Sequence, residues 1–482
     1  MSINGLPKEL LCEIFFLAIY PQTASTDRCR LMLVCQLWQE CVDSSALLWA
    51  DISAQGSHAY VRRVLEKSKA SMINLKYHSN SRTNIDLESF MAEVSPHIAR
   101  WRSLALTIRQ PPESWESALS QLTTAQAPRL ESLELKLIVR NHSGFGNAIT
   151  LFNGAPAPAS LKHLTLYRFK VAIEPLGLSG LVSLDLIHMS SISTPQLLEI
   201  LRNSPWLQIL NLDDNPGLVG LGSQLSAIPP LVLPKLTSLK LVWIDGEGAN
   251  CILSKIRIPN RRKVYLCADI SEGARPVLFT PTILHILHST ITATDHQFSD
   301  IQVDVYHNDE LTIQARGMTL ELYVDGEDQI EEVLSWIAEG LRSEAAACPV
   351  RLKIIGSDVD PVRLVAVPCP LVIKHLSLSG SLLQLLLQSP RVAIFQPPGP
   401  TCPGRLLADI GSLSIDVNTP KSQKEFITML KARYEEPLTG TEIEPRCPVS
   451  LKSVELKGQP RAEGLVEEII RIIGEVNVFW SN

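Results

Sequence analysis

A short phrase recurs along the chain from residue 101 onward: an apolar residue, two others, leucine, one other, leucine. It stands at Trp101/Leu104/Leu106, Leu130/Leu133/Leu135, Leu161/Leu164/Leu166, Leu181/Leu184/Leu186, Leu207/Leu210/Leu212 and Leu236/Leu239/Leu241. It returns at Ile373/Leu376/Leu378, Ile410/Leu413/Ile415 and Leu451/Val454/Leu456. Two leucines separated by one residue share a face of a strand, and the residue between them faces the other way. Intervals in the first half run from about 20 to 31 residues, room for one strand and its return connection. No such unit can bury its leucines alone, whereas stacked units share a continuous core. The phrase predicts a coil of βα units, with an ordinary α/β domain on a parallel sheet as the alternative.

Between strand phrases the period changes. Thr194 can cap a helix with Pro195 in its first turn, Leu197, Leu198 and Leu201 give it an apolar face, and Pro205 ends it. The segments 330–341 before Pro349 and 382–388 before Pro390 repeat the device. The section near 298–325 departs from it. Ile301, Val303 and Val305, then Leu311 and Ile313, alternate around Asn308-Asp309, and a further alternating run spans 319–324, which predicts a hairpin or small meander. Gln396-Pro397-Pro398-Gly399-Pro400 reads as a loop, and 464–473 as a closing helix. The copy running from Leu207 through Asn211 to Asn215 is similar to the leucine-rich repeat, and it ends in that family's Asn. Most other copies lack the Asn, so their turns close differently.

The first 55 residues are unlike the rest. Pro7 can open a helix, Glu9 suits its first turn, and Leu10, Ile14 and Leu17 recur at helical spacing, with Leu11 and Phe15 widening the stripe. Pro21 stops it. Ser25 or Thr26 can cap a second helix carrying Leu31, Val34, Cys35 and Trp38, and Ser44 or Ser45 a last turn with Leu48 and Trp49. A segment this short holds more apolar anchors than it can bury unaided. Leu6-Pro7, Leu10-Leu11, Ile14-Phe15, Val34-Cys35 with Trp38, and Leu48-Trp49 together resemble, in order and spacing, the F-box, notably its fungal form with a lengthened connector, here Tyr20 to Arg28. The resemblance covers residues 6–52. It implies a helical module docking a Skp-family adaptor and, through it, a cullin scaffold, with Leu6, Pro7, Leu10, Ile14, Val34 and Trp38 as adaptor contacts and Leu48 and Trp49 as supporting anchors.

The expected fold class is therefore α/β: a small N-terminal helical F-box over 1–55, a helical linker over 56–100 with helices at 61–65 and 90–98, and an irregular leucine-rich-repeat-like βα solenoid over 101–482. If Leu133 and Leu135 point to the core, Ser132, Glu134 and Lys136 point away. The same alternation exposes His163, Thr165, Tyr167, Ser183, Asp185, Asn211, Asp213, Ser238 and Lys240. Glu134, Lys136, Tyr167, Asp185, Asn211, Asp213 and Lys240 are the expected target-binding residues. Their mixed charges suit a protein partner more than a deep apolar pocket.

Net charge is −6 with no long basic run, which argues against nucleic acid or an anionic membrane surface as partner. The ten cysteines include no Cys-x-x-Cys pair, and Cys29, Cys35 and Cys41 fall six apart, a spacing that suits no metal. Free thiols fit a reducing compartment, cytoplasmic and/or nuclear. Glu13 interrupts the apolar run 10–20 and no basic region precedes it, so it does not read as a secretory signal. There is no phosphate-loop, His-Glu-x-x-His or Gly-x-Ser-x-Gly motif. Gly217, Gly220 and Gly222 have the wrong order for a dinucleotide loop and read as turn residues. His285, His288, Asp295 and His296 are the one weak metal candidate, at odds with an expectation of no cofactor and no catalysis. The sequence thus predicts a substrate-recognition subunit of a Skp–cullin–F-box ubiquitin ligase. Its rivals are a plain leucine-rich-repeat scaffold and an enzyme with a pocket near His285.

Overall fold

A computed structural model describes residues 5–20, 23–79, 85–109, 119, 122, 126–138, 149–169, 171–172, 176–219, 228–244, 246–259, 263–269, 301–306, 310–315, 318–323, 350–355, 373–378, 412–416, 420–434, 451–457, 464–474 and 476–481. The chain divides into two units, Met1–Lys240 with Lys255–Arg261, and Leu241–Ser254 with Arg262–Asn482.

The first unit opens with helices α1 (Lys8–Ala18), α2 (Ala24–Met32) and α3 (Gln36–Ser44) and a 3-10 turn, Ala46–Trp49. Pro7 stands at the N-cap of α1, and its missing N–H costs nothing there. The second helix starts at Ala24, so Ser25 and Thr26 lie inside its first turn and Thr23 takes the N-cap. What reads in sequence as one helix through Trp38 is two. Cys35 is extended (φ −165°, ψ 168°), and the break lifts Leu33 and Val34 onto the surface.

A parallel sheet follows: β1 (Asp51–Ser53), β2 (Ile73–His78), β3 (Trp101–Ile108), β4 (Ser132–Leu137), β5 (His163–Tyr167), β6 (Ser183–Ile187) and β7 (Ile209–Asp213) pair in chain order. Two helices, α4 (His58–Lys67) and α5 (Leu87–Val94), return the chain early on. The sheet thus starts fifty residues before the first leucine phrase, at Asp51 rather than Trp101. The segment expected as a helical linker contributes β2, whose alternation is carried by Ile73, Leu75 and Tyr77, with a single leucine among them. Later, β8 (Leu231–Val232) pairs with β10 (Ile256–Arg257), and β9 (Ser238–Val242) follows Thr237, whose N–H reaches Gln208 O.

Register is set by the leucine phrase. Leu104, Leu133, Leu164, Leu184 and Leu210 are Cα partners in turn, as are Leu106, Leu135, Leu166, Leu186 and Leu212, and all ten are buried. Sliding any strand by one residue would turn its leucines to solvent, at roughly 1.5–3 kcal/mol for each one.

The strand ends share a corner. Arg168, His188 and Asp214 each follow the last residue of β5, β6 and β7, and each has positive φ (56°, 54° and 47°). Asp and His enter this left-handed region more readily than other residues; Arg168 is there because the stacked corner requires it. Past the corner, buried Asn215 accepts from Met189 N (3.0 Å) and donates to Leu186 O (2.9 Å), stitching one repeat to the next. Gly217 then passes Ile192 O so closely that a Cβ would lie 2.2 Å from it, which confirms a turn role there. Helix α6 (Thr194–Arg202) is capped by Ser193, whose N–H meets Gln196 Oε1 at 2.8 Å. Thr194, expected as the cap, is instead buried, and its hydroxyl bonds Val219 O (2.7 Å).

In the second unit, α7 (Gly246–Lys255) precedes a sheet ordered β11 (Lys263–Asp269), β14 (Met318–Tyr323), β13 (Glu310–Ala315), β12 (Ile301–Tyr306), β15 (Val350–Ile355), β16 (Ile373–Leu378), β17 (Ser412–Asp416), β18 (Ser453–Lys457) and β19 (Asn477–Ser481). Only β13 runs against its neighbours, so the expected meander is present, inserted in a parallel array. Helices α8 (Pro420–Tyr434) and α9 (Leu465–Ile473) pack together, with Lys431 Nζ 2.9 Å from Glu468 Oε1. The expected closing helix is α9, yet it does not close the unit, because Gly474 (φ 88°) turns the chain into β19 on the open edge of β18. The expected helices at 330–341 and 382–388, the loop at 396–400, Gly220, Gly222 and the histidines at 285, 288 and 296 lie outside the described residues. No helix among the described residues is long and apolar enough to cross a membrane.

The Asn215 stitch serves two buried backbone groups, so Asn215→Ala should destabilise the first unit by roughly 1–3 kcal/mol in urea denaturation. Asp86 caps α5 by accepting from Ser89 N and Oγ (2.8 Å each), and these bonds hold its carboxyl below the usual carboxylate range. Its contribution is complete above the unfolded pKa of about 3.9 and fades as pH falls through the lower folded value. Asp86→Asn should keep the cap and flatten that acid-side loss; an unchanged stability–pH slope would contradict the assignment.

Candidate partner-binding surfaces

Helix α1 is apolar on nearly every side, and only one side is covered. Leu11 and Phe15, four residues apart, point inward, and Phe15 packs on Trp38 with ring centroids 4.7 Å apart. Cys41, Val42, Leu48 and Trp49 complete this core, with Trp49 Nε1 donating to Val42 O at 2.7 Å. Burial raises the Cys41 thiol pKa, and Cys12 Sγ lies 3.6 Å from Cys41 O.

The opposite side stays bare. Leu10, Ile14 and Leu17 stand at i, i+4 and i+7, Leu17 at 81% exposure, with Phe16 and Tyr20 beside them. From the break between α2 and α3 come Leu33, 86% exposed, and Val34; Leu47 is exposed on the 3-10 turn. Isolated exposed leucines need no explanation, but this many on one small module mark a surface made to be covered. An ion pair at its edge, Lys8 Nζ to Glu40 Oε2 at 2.7 Å, ties α1 to α3 without covering it.

Most of the expected adaptor contacts fit this surface. Pro7, Leu10, Ile14 and Val34 are exposed, and Leu6 and Trp38 half-buried. Leu48 and Trp49 are only 4% and 3% exposed, so they brace the module from within and offer a partner no surface. Sequence patterning could not separate them, since a leucine looks alike whether its own chain or another covers it. Phe16, Leu17, Leu33 and Leu47 are equally bare and are not in the expected set. A helical wheel places Leu17 with Leu10 and Ile14, but Leu33 depends on the helix break.

The second surface is the polar side of the strands. Between the buried leucines, Glu134, Lys136, Tyr167, Asp185, Asn211, Asp213 and Lys240 are all half-buried on the opposite side. Glu134, Thr165, Asp185 and Asn211 form one cross-strand row, and Lys136, Tyr167, Ile187 and Asp213 the next. Many of these charges are answered within the sheet: Lys136 Nζ lies 2.8 Å from Glu134 Oε1, and Lys240 Nζ 3.4 Å from Asp213 Oδ2. Asp185 accepts from the hydroxyls of Thr165 and Ser183, and Ser183, expected to be exposed, is buried by this bond.

At the carboxyl ends of the strands the left-handed corner adds residues that the leucine phrase does not reveal. His188 Nδ1 lies 2.6 Å from Asp214 Oδ2, the His188 ring stands edge-on to Tyr167 at 5.3 Å, and the Arg168 guanidinium lies 5.4 Å from the Tyr167 ring centre. Among the described residues no three His, Cys, Asp or Glu side chains come together as a metal would need.

Comparison with known families finds a match to the F-box-like domain over residues 3–55. No curated protein sequence matches the chain. The match spans α1 to α3, the 3-10 turn and β1, and so includes both the bare surface and the core beneath it.

The division between bare and buried side chains can be measured. Leu10→Ser, Ile14→Ser and Leu17→Ser should each change stability by less than about 0.5 kcal/mol, whereas Leu11→Ala should cost roughly 2–5 and Phe15→Ala roughly 3–5 kcal/mol. Equal losses across both sets in chemical denaturation would mean that the outer stripe is packed in the free chain.

Proposed function

We propose that this chain, which carries an F-box-like domain at its N-terminus, is the substrate-recognition subunit of a Skp–cullin–F-box ubiquitin ligase. The domain match supports the adaptor-binding half of this reading. The single observation that carries it is the coincidence of that match with the uncovered stripe of Leu10, Ile14, Leu17, Leu33 and Val34. An interface worth roughly 1.5–3 kcal/mol per buried side chain can outweigh the entropy lost on association when half a dozen take part. A cullin scaffold would be reached only through the adaptor.

Target capture is assigned to the polar side of the leucine-rich-repeat-like strands, through Glu134, Lys136, Tyr167, Asp185, Asn211, Asp213 and Lys240, joined by His188 and Asp214. Half-buried charges of both signs favour a protein partner, because such a surface can complement them with mixed charges and hydrogen bonds of its own. The chain itself performs no bond chemistry in this reading. It raises the local concentration of the target beside the ubiquitin-transferring enzyme, in the cytoplasm and/or nucleus. A scaffold with no ligase role would carry the same strand face but would have no use for the bare helical stripe.

Replacing Leu10, Ile14 and Val34 together by Ala should weaken adaptor binding at least a hundredfold, measured by titration of purified adaptor against the full chain. The same variant should leave target capture on the strand face intact. Unchanged adaptor affinity would remove the ligase role.

A further inference from the structure

Arg28 on α2 is 2% exposed, and no ion pair among the described residues includes it. Its Nη1 donates to Leu48 O at 2.8 Å and Asp51 O at 3.4 Å, and its Nη2 to the Tyr60 hydroxyl at 2.8 Å. The Trp49 ring lies 4.9 Å away, on one side of the guanidinium. Nε is buried and has no hydrogen-bond partner. The Nε–Nη2 edge is the one with which Arg62 grips Glu93, at 2.9 and 2.6 Å. On Arg28 that same edge is half-filled, by a neutral phenol.

Burying a guanidinium without an anion is costly, and neutral oxygens with one aromatic face recover only part of the loss. Arg28 also lines a cleft of about 30 Å³ together with Ser25, Ser53, Gln55, Tyr60 and Lys76. That is room for about two waters. Asp51 is the one acid lining it, and its carboxylate accepts from Asn74 Nδ2 at 2.9 Å. Ser25 lies one turn before Arg28, in the first turn of a nine-residue helix, where a negative charge is favoured.

We propose that this cleft is a phosphoryl-binding site, with the Arg28 edge and the Lys76 ammonium as its cationic walls. The phosphoryl group comes from one of two sources, Ser25 itself or a free phosphomonoester. In the first case a protein kinase transfers the γ-phosphoryl of ATP to Ser25 Oγ, the hydroxyl proton leaves and ADP is released. Either occupant sets its charge against the Arg28 guanidinium and the Lys76 ammonium and draws together α2, β1, α4 and β2, the elements that join the helical module to the sheet. The site is separate from the bare helical stripe, so it regulates how firmly the module is held rather than whether a partner can reach it.

The test is thermal unfolding of the full chain with inorganic phosphate, against chloride at equal ionic strength. Saturating phosphate should raise the melting temperature by about 5 °C, and Lys76→Gln, at an exposed position, should remove at least half of that rise. Ser25→Glu should reproduce the rise without phosphate and abolish the further response, while Ser25→Gln does neither; this outcome assigns the phosphoryl group to Ser25. A phosphate response with Ser25→Glu inert assigns it to a free phosphomonoester. A phosphate effect no larger than that of chloride, together with an inert Ser25→Glu, overturns the proposal.

Discussion

A leucine on one strand of this protein is buried only because a leucine on the next strand stands beside it. Leu135, Leu166, Leu186 and Leu212 occupy the same level of successive strands, each closing the core over the last. The parallel register, the left-handed corner after β5, β6 and β7 and the placement of the polar residues on the other side all follow from that stacking. Because the period is two, whatever lies between two core leucines must face away. The candidate target residues are therefore positioned by the burial of their neighbours, not by any interaction of their own.

The helical module obeys a different rule. Its α1 carries apolar residues around most of its circumference, and the small core of Phe15, Trp38, Val42 and Trp49 has room for only one side of it. Enlarging that core would seal Leu10 and Ile14 and remove the surface on which the proposed role depends. Stability of the module and its readiness to bind are thus in competition. Anchorage to the first repeat offsets the deficit: Leu48 and Asp51 carbonyls and the Tyr60 hydroxyl converge on Arg28. The most buried cation of the module is therefore found at the joint and not at the partner surface.

Residues differ in how readily they declared themselves. Wherever the phrase used leucine, the strand was legible, and so was the meander over residues 301–323, from its two-residue alternation. Strand β2 was not, because Ile73, Leu75 and Tyr77 keep the alternation but put tyrosine where the phrase has its second leucine. The split between α2 and α3 escaped as well. Leu33 and Val34 continue an apolar pattern that the backbone at Cys35 interrupts, and periodicity carries no information about a single extended residue. Thr194 was mistaken for a cap because Ser193 and Thr194 are chemically alike there, and only the bond to Val219 O distinguishes them.

The sequence by itself determined what repeats: the alternation of leucines, the face opposite them, and an N-terminal module with more apolar anchors than it can bury. These are local patterns, and local geometry converts them into structure with few alternatives. Tertiary structure alone decided which anchors stay bare, placing Leu17 and Leu33 outside while Leu48 and Trp49 went within. It also brought His188 to Asp214 and Arg28 to Tyr60, contacts between residues that are 26 and 32 positions apart. Such meetings depend on how whole elements stack. A free energy summed over many neighbours selects them, and no single residue's preference encodes them.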